Sequence, residues 1–380
     1  MPFTGKATYS AGSSLPEIAE DVADLIAINS PHETPLLDAL GDASRVARST
    51  VHEWIEDKLM PTTSGVTDVV SGTTIEVGHV DRFRVGDTIR FENSNEIALV
   101  TGINTNTAVL TIQRGYGDTA SNELGSGQAI HIIGNAALEG ADAGAARFSV
   151  RSRSANYTQI FSSTVSVSGS ELAVNQLAVR DELAWQKNLR SREMLRDLEN
   201  SVINGVAAVD SPEGTASIRR TMRGCVGSIS THTFTVGQNG FANNAALTEA
   251  QLNQALRTIW SASNGTVDLI VVGGREKRAI NQFVAANRRF YTANESYKDM
   301  VSVYESDFGV CRVVLSRHVP TGTVLLLDSS RISVLPLAGR SFHYAPLART
   351  GDAESGQLVG EYTVEFRNES AHGVIRGFTA

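Results

Sequence analysis

The sequence predicts an α+β protein in which a small β-barrel-like module lies between an N-terminal arm and a long helix, followed by an α/β layer. Three observations predict this class. Five short β-branched runs fall within residues 63–135, one apolar helical stripe spans about residues 169–204, and a helix–strand–helix order follows between residues 248 and 286. With 380 residues, 41% of them hydrophobic, the chain is long enough for two or three compact units.

The first 50 residues predict an extended arm. Residues 1–14 are rich in Gly, Ser and Thr without any period, and Pro16 then opens a short amphipathic stretch. A second short helix is predicted where Thr34 serves as the cap, Pro35 takes the first helical position and Gly41 ends the helix. We therefore expect an arm with two short helices.

The module at residues 63–135 is predicted from alternating strand and turn signals. Turn clusters such as Gly86-Asp87 separate the runs, which suggests a small barrel or sandwich. The predicted strands cover residues 73–77, 84–91, 97–103, 108–114 and 129–133. Strand-like segments at about 51–55 and 148–167 are predicted to form two rails of a long hairpin that carries the module at its tip.

The helical stripe that follows is the longest predicted element. Ser168 and Glu171 match a capping box, and apolar residues recur at helical spacing up to Val202, before Gly205. A helix over residues 169–204 would be roughly 54 Å long at 1.5 Å per residue. Such a stripe is too long for local loops to cover, so we expect it to pack on a sheet or on another subunit.

The remaining chain predicts an α/β layer and a return to strands. Thr248 and Gln251 cap a helix, a buried strand covers residues 267–272, and another helix covers residues 275–286. Further strands are predicted at residues 313–315, 324–328, 332–335, 358–367 and 373–378.

Charge and motifs argue against an enzyme and against a dedicated nucleic-acid binder. The net charge of -8 provides no overall basic surface for phosphate contacts. No residues supply a nucleophile, a base and an oxyanion donor together, and the eight histidines are not at metal-site spacing. We expect no catalytic residue, no metal, no cofactor and no membrane segment. Two cysteines form no disulfide framework, and the start lacks a signal-peptide pattern, so we expect the protein to be made and kept in the cytoplasm.

One cluster of residues supports two interpretations. Arg147, Arg151 and Arg153, near Phe148, Tyr157 and Phe161, combine guanidinium groups with aromatic rings, as single-strand binding surfaces do. A hairpin rail that docks on a neighbouring subunit needs the same residue types, with arginines paired to acidic partners across the contact. The acidic total charge favours the second interpretation. Two tryptophans complete the candidate intersubunit contacts, Trp54 and Trp185.

The order of these features resembles the major capsid proteins of tailed bacteriophages, which have the Hong Kong 97-like fold. Within that fold the chain is similar to a subfamily that carries a β-module in the E-loop. The matching pieces are Thr34-Pro35-Leu36-Leu37, Glu53-Trp54, Asp57-Lys58-Leu59, Phe83-Arg84-Val85-Gly86-Asp87, Ile112-Gln113-Arg114-Gly115-Tyr116-Gly117, Arg220-Thr221-Met222-Arg223-Gly224 and Leu269-Ile270-Val271-Val272-Gly273.

The resemblance implies a division of the chain into named regions. These are an N-terminal arm (1–50), an E-loop (51–167) with the inserted β-domain (about 63–135), a peripheral (P) domain spine helix and the following turn (168–219), an axial (A) domain (220–340) and a return to the P-domain sheet (341–380).

The resemblance also implies partners. It implies a homo-oligomer of hexamers, with or without pentamers, in an icosahedral shell that encloses double-stranded DNA without sequence-specific binding. It also implies a portal protein and, where used, scaffold or decoration proteins. The alternative is an encapsulin-like compartment or another phage shell or tail component. We further hypothesise that the β-module acts as a clamp on the outer surface of the shell.

Overall fold

The structure is a computed structural model that describes residues 33–379 except 43, 93, 143, 145, 174–180, 245, 288–302 and 350. The chain divides into two compact units, one made of Ile55–Ser152 and the other of Met1–Trp54 with Arg153–Ala380. The first predicted arm helix, at Pro16, lies outside the described residues.

The described helices and strands, in chain order, are α1 (Pro35–Leu40), β1 (Val51–Glu56), β2 (Thr63–Ser71), β3 (Thr74–Val77), β4 (Asp87–Phe91), β5 (Ile97–Asn104), β6 (Val109–Gln113), β7 (Ala129–Asn135), β8 (Ser152–Tyr157), β9 (Gln159–Ser168), α2 (Gly169–Ala173), α3 (Glu182–Asn204), α4 (Cys225–Ser228), β10 (Thr233–Thr235), α5 (Glu249–Ala262), β11 (Leu269–Val272), α6 (Gly274–Asn287), β12 (Val303–Ser306), β13 (Gly309–Leu315), β14 (Thr323–Leu327), β15 (Ile332–Pro336), β16 (His343–Pro346), β17 (Ala353–Phe366) and β18 (Gly373–Arg376).

The inserted module is a closed barrel with the strand order β2-β3-β6-β5-β4-β7. Alternate residues of its strands point inward and bury apolar side chains such as Ile75, Ile89 and Phe91, all fully buried. The five predicted strands are confirmed. The sixth strand, β2, was not predicted because Gly65 and Asp68 interrupt its β-branched residues; it closes the barrel by pairing with both β3 and β7.

A buried ion pair fixes the loop that follows β6. Glu96 is fully buried and accepts hydrogen bonds from Arg114 Nε (2.7 Å) and Nη2 (2.6 Å) and from the Asn122 backbone N–H (2.7 Å). Burial raises the pKa of Glu96, but the hydrogen bonds from Arg114 and Asn122 bring it below its ordinary value overall. The Arg114-Gly115-Tyr116 segment of the resemblance therefore holds the loop at 115–127 on the barrel.

The larger unit contains two sheets of four or more strands. A six-stranded sheet has the order β10-β18-β14-β11-β13-β12, and in a second, four-stranded sheet the long strand β17 pairs with β9, β15 and β16. The predicted capping box of α5 is confirmed at Thr248 and Gln251. The expected boundary at residue 340 does not coincide with the sheets, because β15 already belongs to the four-stranded sheet while β18 joins the six-stranded one.

The expected second rail of the hairpin, over residues 148–167, is not one continuous strand. It divides at Thr158, where the backbone N–H donates to Thr50 O (2.9 Å) and the hydroxyl donates to Glu361 (2.6 Å). Before that residue β8 pairs with β1, and after it β9 pairs with β17 over ten residues. The rail is therefore short, and β9 is part of the four-stranded sheet.

The single helix predicted over residues 169–204 is also wrong. Asp181 has an extended backbone and its carboxylate accepts a hydrogen bond from Ala184 N (3.0 Å), so α3 starts afresh at Glu182 with its own N-cap. The predicted cap at Ser168 accepts a hydrogen bond from Glu171 N (3.2 Å) and opens the short helix α2. The part of the predicted helix at 174–180 lies outside the described residues.

Helix α1 has the predicted Pro35 and Gly41 at its ends, but Thr34 makes no side-chain cap hydrogen bond. The carboxylate of Glu199, on α3, lies at the start of α1 instead and accepts from the backbone N–H of Leu36 (3.2 Å). The Glu199 carboxylate, distant in sequence, thus caps the N-terminus of α1 in place of the Thr34 hydroxyl.

Candidate assembly surface

Two of the three arginines predicted to pair with acidic groups across a subunit contact already have acidic partners in their own chain. Arg151 Nε lies 3.2 Å from the Asp57 carboxylate, and Arg153 Nη1 lies 3.5 Å from that of Glu53. Hydrogen bonds from Ser149 and Arg151 lower the pKa of Asp57. These pairs are exposed, and such pairs contribute little stability, so their main effect is to orient the segment before β8.

The contacts of that segment leave a stripe of apolar side chains exposed to solvent. Arg147 donates to Arg82 O (3.2 Å), Ser149 donates to Asp57 (2.9 Å), and Arg151 pairs with the same carboxylate. The alternate residues, Phe148 and Val150, are each 82% exposed. An extended chain turns alternate side chains to opposite sides, so both apolar groups project away from the polar contacts. Phe148 is one of the aromatic residues noted beside the arginines in the sequence, whereas no sequence pattern singled out Val150.

The aromatic candidates divide into buried and accessible groups. Phe161 is 7% exposed and packs against Phe342 with ring centroids 6.2 Å apart, so this ring belongs to the core of its own chain. Its expected role as an intersubunit contact is therefore wrong, because β9 turns the ring under the sheet. Trp54, Tyr157 and Trp185 are half-buried and each keeps a surface that a neighbour can reach.

Two buried carboxylates on β17 join segments that are distant in sequence to the four-stranded sheet. Glu365 accepts hydrogen bonds from Arg45 (2.8 Å), just before β1, and lies 2.8 Å from His52 Nε2, on β1. Glu361 pairs with Arg220 (2.5 Å) and Arg340 (2.7 Å). Sequence reasoning missed this cluster, because its partners lie up to 320 positions apart.

Burial and pairing act in opposite directions on Glu365. Burial raises its pKa, but hydrogen bonds from His52 and Arg45 bring it below the ordinary value of 4.5 overall. The carboxylate therefore stays ionised to a lower pH than an ordinary glutamate and holds Arg45 and β1 together.

One edge of the four-stranded sheet is formed by β9. Its residues Ile160, Ser162, Thr164, Ser166 and Ser168 are all exposed. Their side chains share one face, while Phe161, Val165 and Val167 are buried on the other. The alternation of Ser or Thr with valine over residues 164–168 was a readable signal of an exposed strand face, although the partner strand was not readable.

The described residues hold no group of three or more His, Cys, Asp or Glu side chains arranged for a metal ion. No helix in the described ranges is long and apolar enough to cross a membrane.

The comparison with protein families decides the family. The model of the SU10 major capsid protein family matches residues 3–379. The chain belongs to the SU10 major capsid protein family. The expected assignment as a tailed-phage major capsid protein with a Hong Kong 97-like fold is thereby confirmed. No curated protein matches the chain in sequence.

Solved capsid structures share the fold of this capsid protein. The capsid of an empty GTA particle is 9% identical, covers 100% of both chains and gives a TM-score of 0.55. The capsid chain of Cyanophage A-1(L) is 14% identical, covers 97% of this chain and 99% of that chain, and gives 0.52. The SrpI encapsulin of Synechococcus elongatus PCC 7942 is 13% identical and covers 60% of this chain and 77% of that one, with a TM-score of 0.42.

Proposed function

We propose that this capsid protein assembles into a closed icosahedral shell around double-stranded DNA, and that the segment Arg147–Arg151 of each copy docks on a neighbouring copy. The observation that carries this proposal is the pair Phe148 and Val150, each 82% exposed on a segment whose polar side chains are satisfied within the chain. Removing such a stripe from water favours association, and aromatic anchors dominate interface energies.

The proposal gives the arginines a positioning role. Asp57 accepts from Ser149 and Arg151 and so holds the extended segment in the conformation that presents the two apolar side chains. A pre-oriented segment loses less conformational freedom when it docks. Trp54, Tyr157 and Trp185 are proposed as further contacts with a neighbouring copy.

The experiment is to express the full chain with Phe148→Ser and Val150→Ser and to count closed particles by electron microscopy and sedimentation. Both side chains are exposed, so the variant subunit is expected to fold as the parent does and to form closed particles about tenfold less readily. The matched control is Val209→Ser, at a position 95% exposed and outside the loop. Normal shells from the double variant would overturn the docking proposal.

The proposed assembly takes place in the bacterial cytoplasm and involves no catalytic step by this chain. A portal protein, and scaffold or decoration proteins where used, are its proposed partners in the virion. The acidic net charge of -8 supports enclosure of DNA without sequence-specific binding.

The closed barrel is proposed as a built-in clamp that strengthens the assembled shell. Its six strands bury their own core, so the barrel is not needed to complete the core of the larger unit. Deleting residues 63–135 is expected to leave assembly possible and to lower the temperature at which particles break. Particles that withstand heat and osmotic shock as the parent does would contradict the clamp.

A further inference from the structure

The outer edge of β9 carries a row of backbone groups whose direction follows from the pairing. Gly169 N–H donates to Asp352 O (3.0 Å), which continues the ladder with β17, whereas Thr158 N–H donates to Thr50 O, away from β17. Backbone groups alternate in direction along a strand. Even-numbered residues of β9 therefore direct N–H and C=O away from β17.

The register of the four-stranded sheet supports this direction. Phe161 pairs with Gly360 and Val165 with Gly356, so odd positions of β9 face even positions of β17. On its other side β17 uses odd positions, since Leu347 N–H donates to Ser355 O (2.9 Å). The outward groups of β9 therefore belong to Ile160, Ser162, Thr164, Ser166 and Ser168.

This edge lacks the features that keep sheet edges from pairing with other chains. Monomeric proteins protect edge strands with lysine, proline, bulges or short length. Here β9 runs for ten residues in unbroken register with β17 and contains no charged residue and no proline. Within the described residues, β17 is the only strand paired with β9.

The segment Arg147–Arg151 has backbone groups that are suited to pair with such an edge. It lies outside the described helices and strands, and among the described residues it takes part in no strand pairing and no backbone–backbone hydrogen bond. Its polar and apolar side chains lie in different environments: Ser149 and Arg151 are held by Asp57, whereas Phe148 and Val150 are exposed. An extended segment with free backbone groups is what an open sheet edge binds by strand addition.

We propose that segment Arg147–Arg151 of a second copy of this chain adds as a strand to the outer edge of β9, through backbone hydrogen bonds to the even-numbered residues. This inference rests on the proposed docking of that segment and names the surface that receives it. The four-stranded sheet then continues from one subunit into the next. Failure of the parent chain to form shells would count against the proposed function, while the variants below address the edge alone.

The first test removes one outward N–H. Thr164→Pro takes away an N–H that faces away from β17, a position where an edge strand tolerates proline. The isolated subunit is expected to melt within a few degrees of the parent, while closed particles form about tenfold less readily. Thr164→Val, which keeps the N–H and the side-chain shape, is expected to assemble normally.

The neighbouring position gives the opposite result. Ser163 directs its N–H to Leu358 on β17, so Ser163→Pro is expected to destabilise the subunit itself. Normal assembly by Thr164→Pro would overturn the proposal. If that variant fails to fold, hydrogen exchange of the parent decides: amides in 159–168 that exchange in the free subunit must become protected in particles. Protection of the even-numbered amides already in the free subunit would mean that the chain covers this edge itself, and would also overturn the proposal.

A cross-linking test identifies the occupant. Double variants combine Phe148→Cys with a cysteine at Ser162, Thr164 or Ser166, and the native Cys225 and Cys311 are buried and give little background. Oxidised particles are expected to show covalent oligomers on a denaturing gel in at least one combination, since adjacent strands bring Cα atoms within disulfide reach. Val209→Cys in place of Phe148→Cys is the control. Absence of oligomers from all three combinations would contradict the assignment of Arg147–Arg151 as the added strand.

Discussion

The carboxylate of Glu199 accepts a hydrogen bond from the backbone N–H of Leu36, 163 positions earlier in the chain, at 3.2 Å. The same oxygen lies 3.4 Å from Leu37 N, and the other oxygen accepts from the Ser316 hydroxyl at 2.8 Å. One side chain of α3 therefore joins the arm helix α1 to the segment after β13. Because Glu199 is buried, these three donors are what makes its burial tolerable.

Removing the Glu199 carboxylate is expected to destabilise the subunit. Glu199→Ala leaves two helix N–H groups and a hydroxyl without their acceptor, and the free energy of unfolding should fall by about 1–3 kcal/mol. Glu199→Gln keeps an acceptor oxygen and should cost less. Denaturant unfolding of the unassembled subunit measures both, with Glu193→Ala, at an exposed position of the same helix, as the matched control. Equal effects of the two alanine variants would refute the capping role.

The pH dependence of stability should differ between two buried carboxylates. Burial raises the pKa of Glu199, so its folded form takes up a proton more readily than the unfolded chain and its contribution to stability increases as pH falls. The pKa of Glu365 is lowered, so its contribution is present above the unfolded value of 4.5 and is lost as pH falls through the folded value.

These signs are measurable with conservative variants. Glu365→Gln is expected to reduce the loss of unfolding free energy between neutral pH and the range below 4.5. Glu199→Gln should have the reverse effect on the slope. Unfolding curves collected across that range for the parent and both variants give the comparison, and identical slopes in all three proteins would contradict the assignment.

Two glycines meet backbone to backbone where α3 ends. A Cβ on Gly224 would lie 2.6 Å from Gly205 N and 2.7 Å from Ser201 O, and the Gly224 N–H donates to Gly205 O (2.9 Å). Gly224→Ala is therefore expected to cost about 1–3 kcal/mol of unfolding free energy. At Gly227, on α4, an added Cβ meets nothing closer than 3.6 Å, so Gly227→Ala should be neutral or slightly stabilising in the same thermal melts.

The barrel loop should open when its buried ion pair is broken. Glu96→Gln leaves Arg114 without its charged partner, and loss of one member of a buried pair typically costs about 3–5 kcal/mol. We expect faster proteolytic cleavage between residues 115 and 127. Mass spectrometry of the fragments measures the rate and the site of cleavage. Glu92→Gln, at an exposed position, should leave the rate unchanged. An unaltered rate for Glu96→Gln would show that the loop is held by other contacts.

Patterns among neighbouring residues predicted much of this fold, whereas contacts between residues distant in sequence could not be predicted. The barrel strands were readable because turn residues and alternating burial are properties of neighbouring residues, and the capping box at Thr248 and Gln251 is confirmed for the same reason. The break at Asp181 was missed because the apolar stripe continues on both sides of it, although aspartate followed by glutamate is a helix-start signal.

The candidate contacts show the same limit. Arg151 was correctly singled out as a residue needing a carboxylate, but the sequence did not show that Asp57 of the same chain provides it. Phe161 was expected to contact another subunit because the sequence of β9 does not show which strand it pairs with, and so does not show that the ring is buried within its own chain. The cluster around Glu361 and Glu365 depends on contacts between residues up to 320 positions apart, which no local pattern encodes.

The barrel is entered and left through adjacent strands. Thr63, at the start of β2, pairs with His131 of β7, and Ile132 N–H donates to Thr62 O (2.7 Å) just outside the first strand. A foreign domain whose two termini lie one strand spacing apart would meet the same geometric requirement at this point in the chain. An antigen or an affinity tag grafted in place of residues 63–135 would thus be carried once by every copy of the chain.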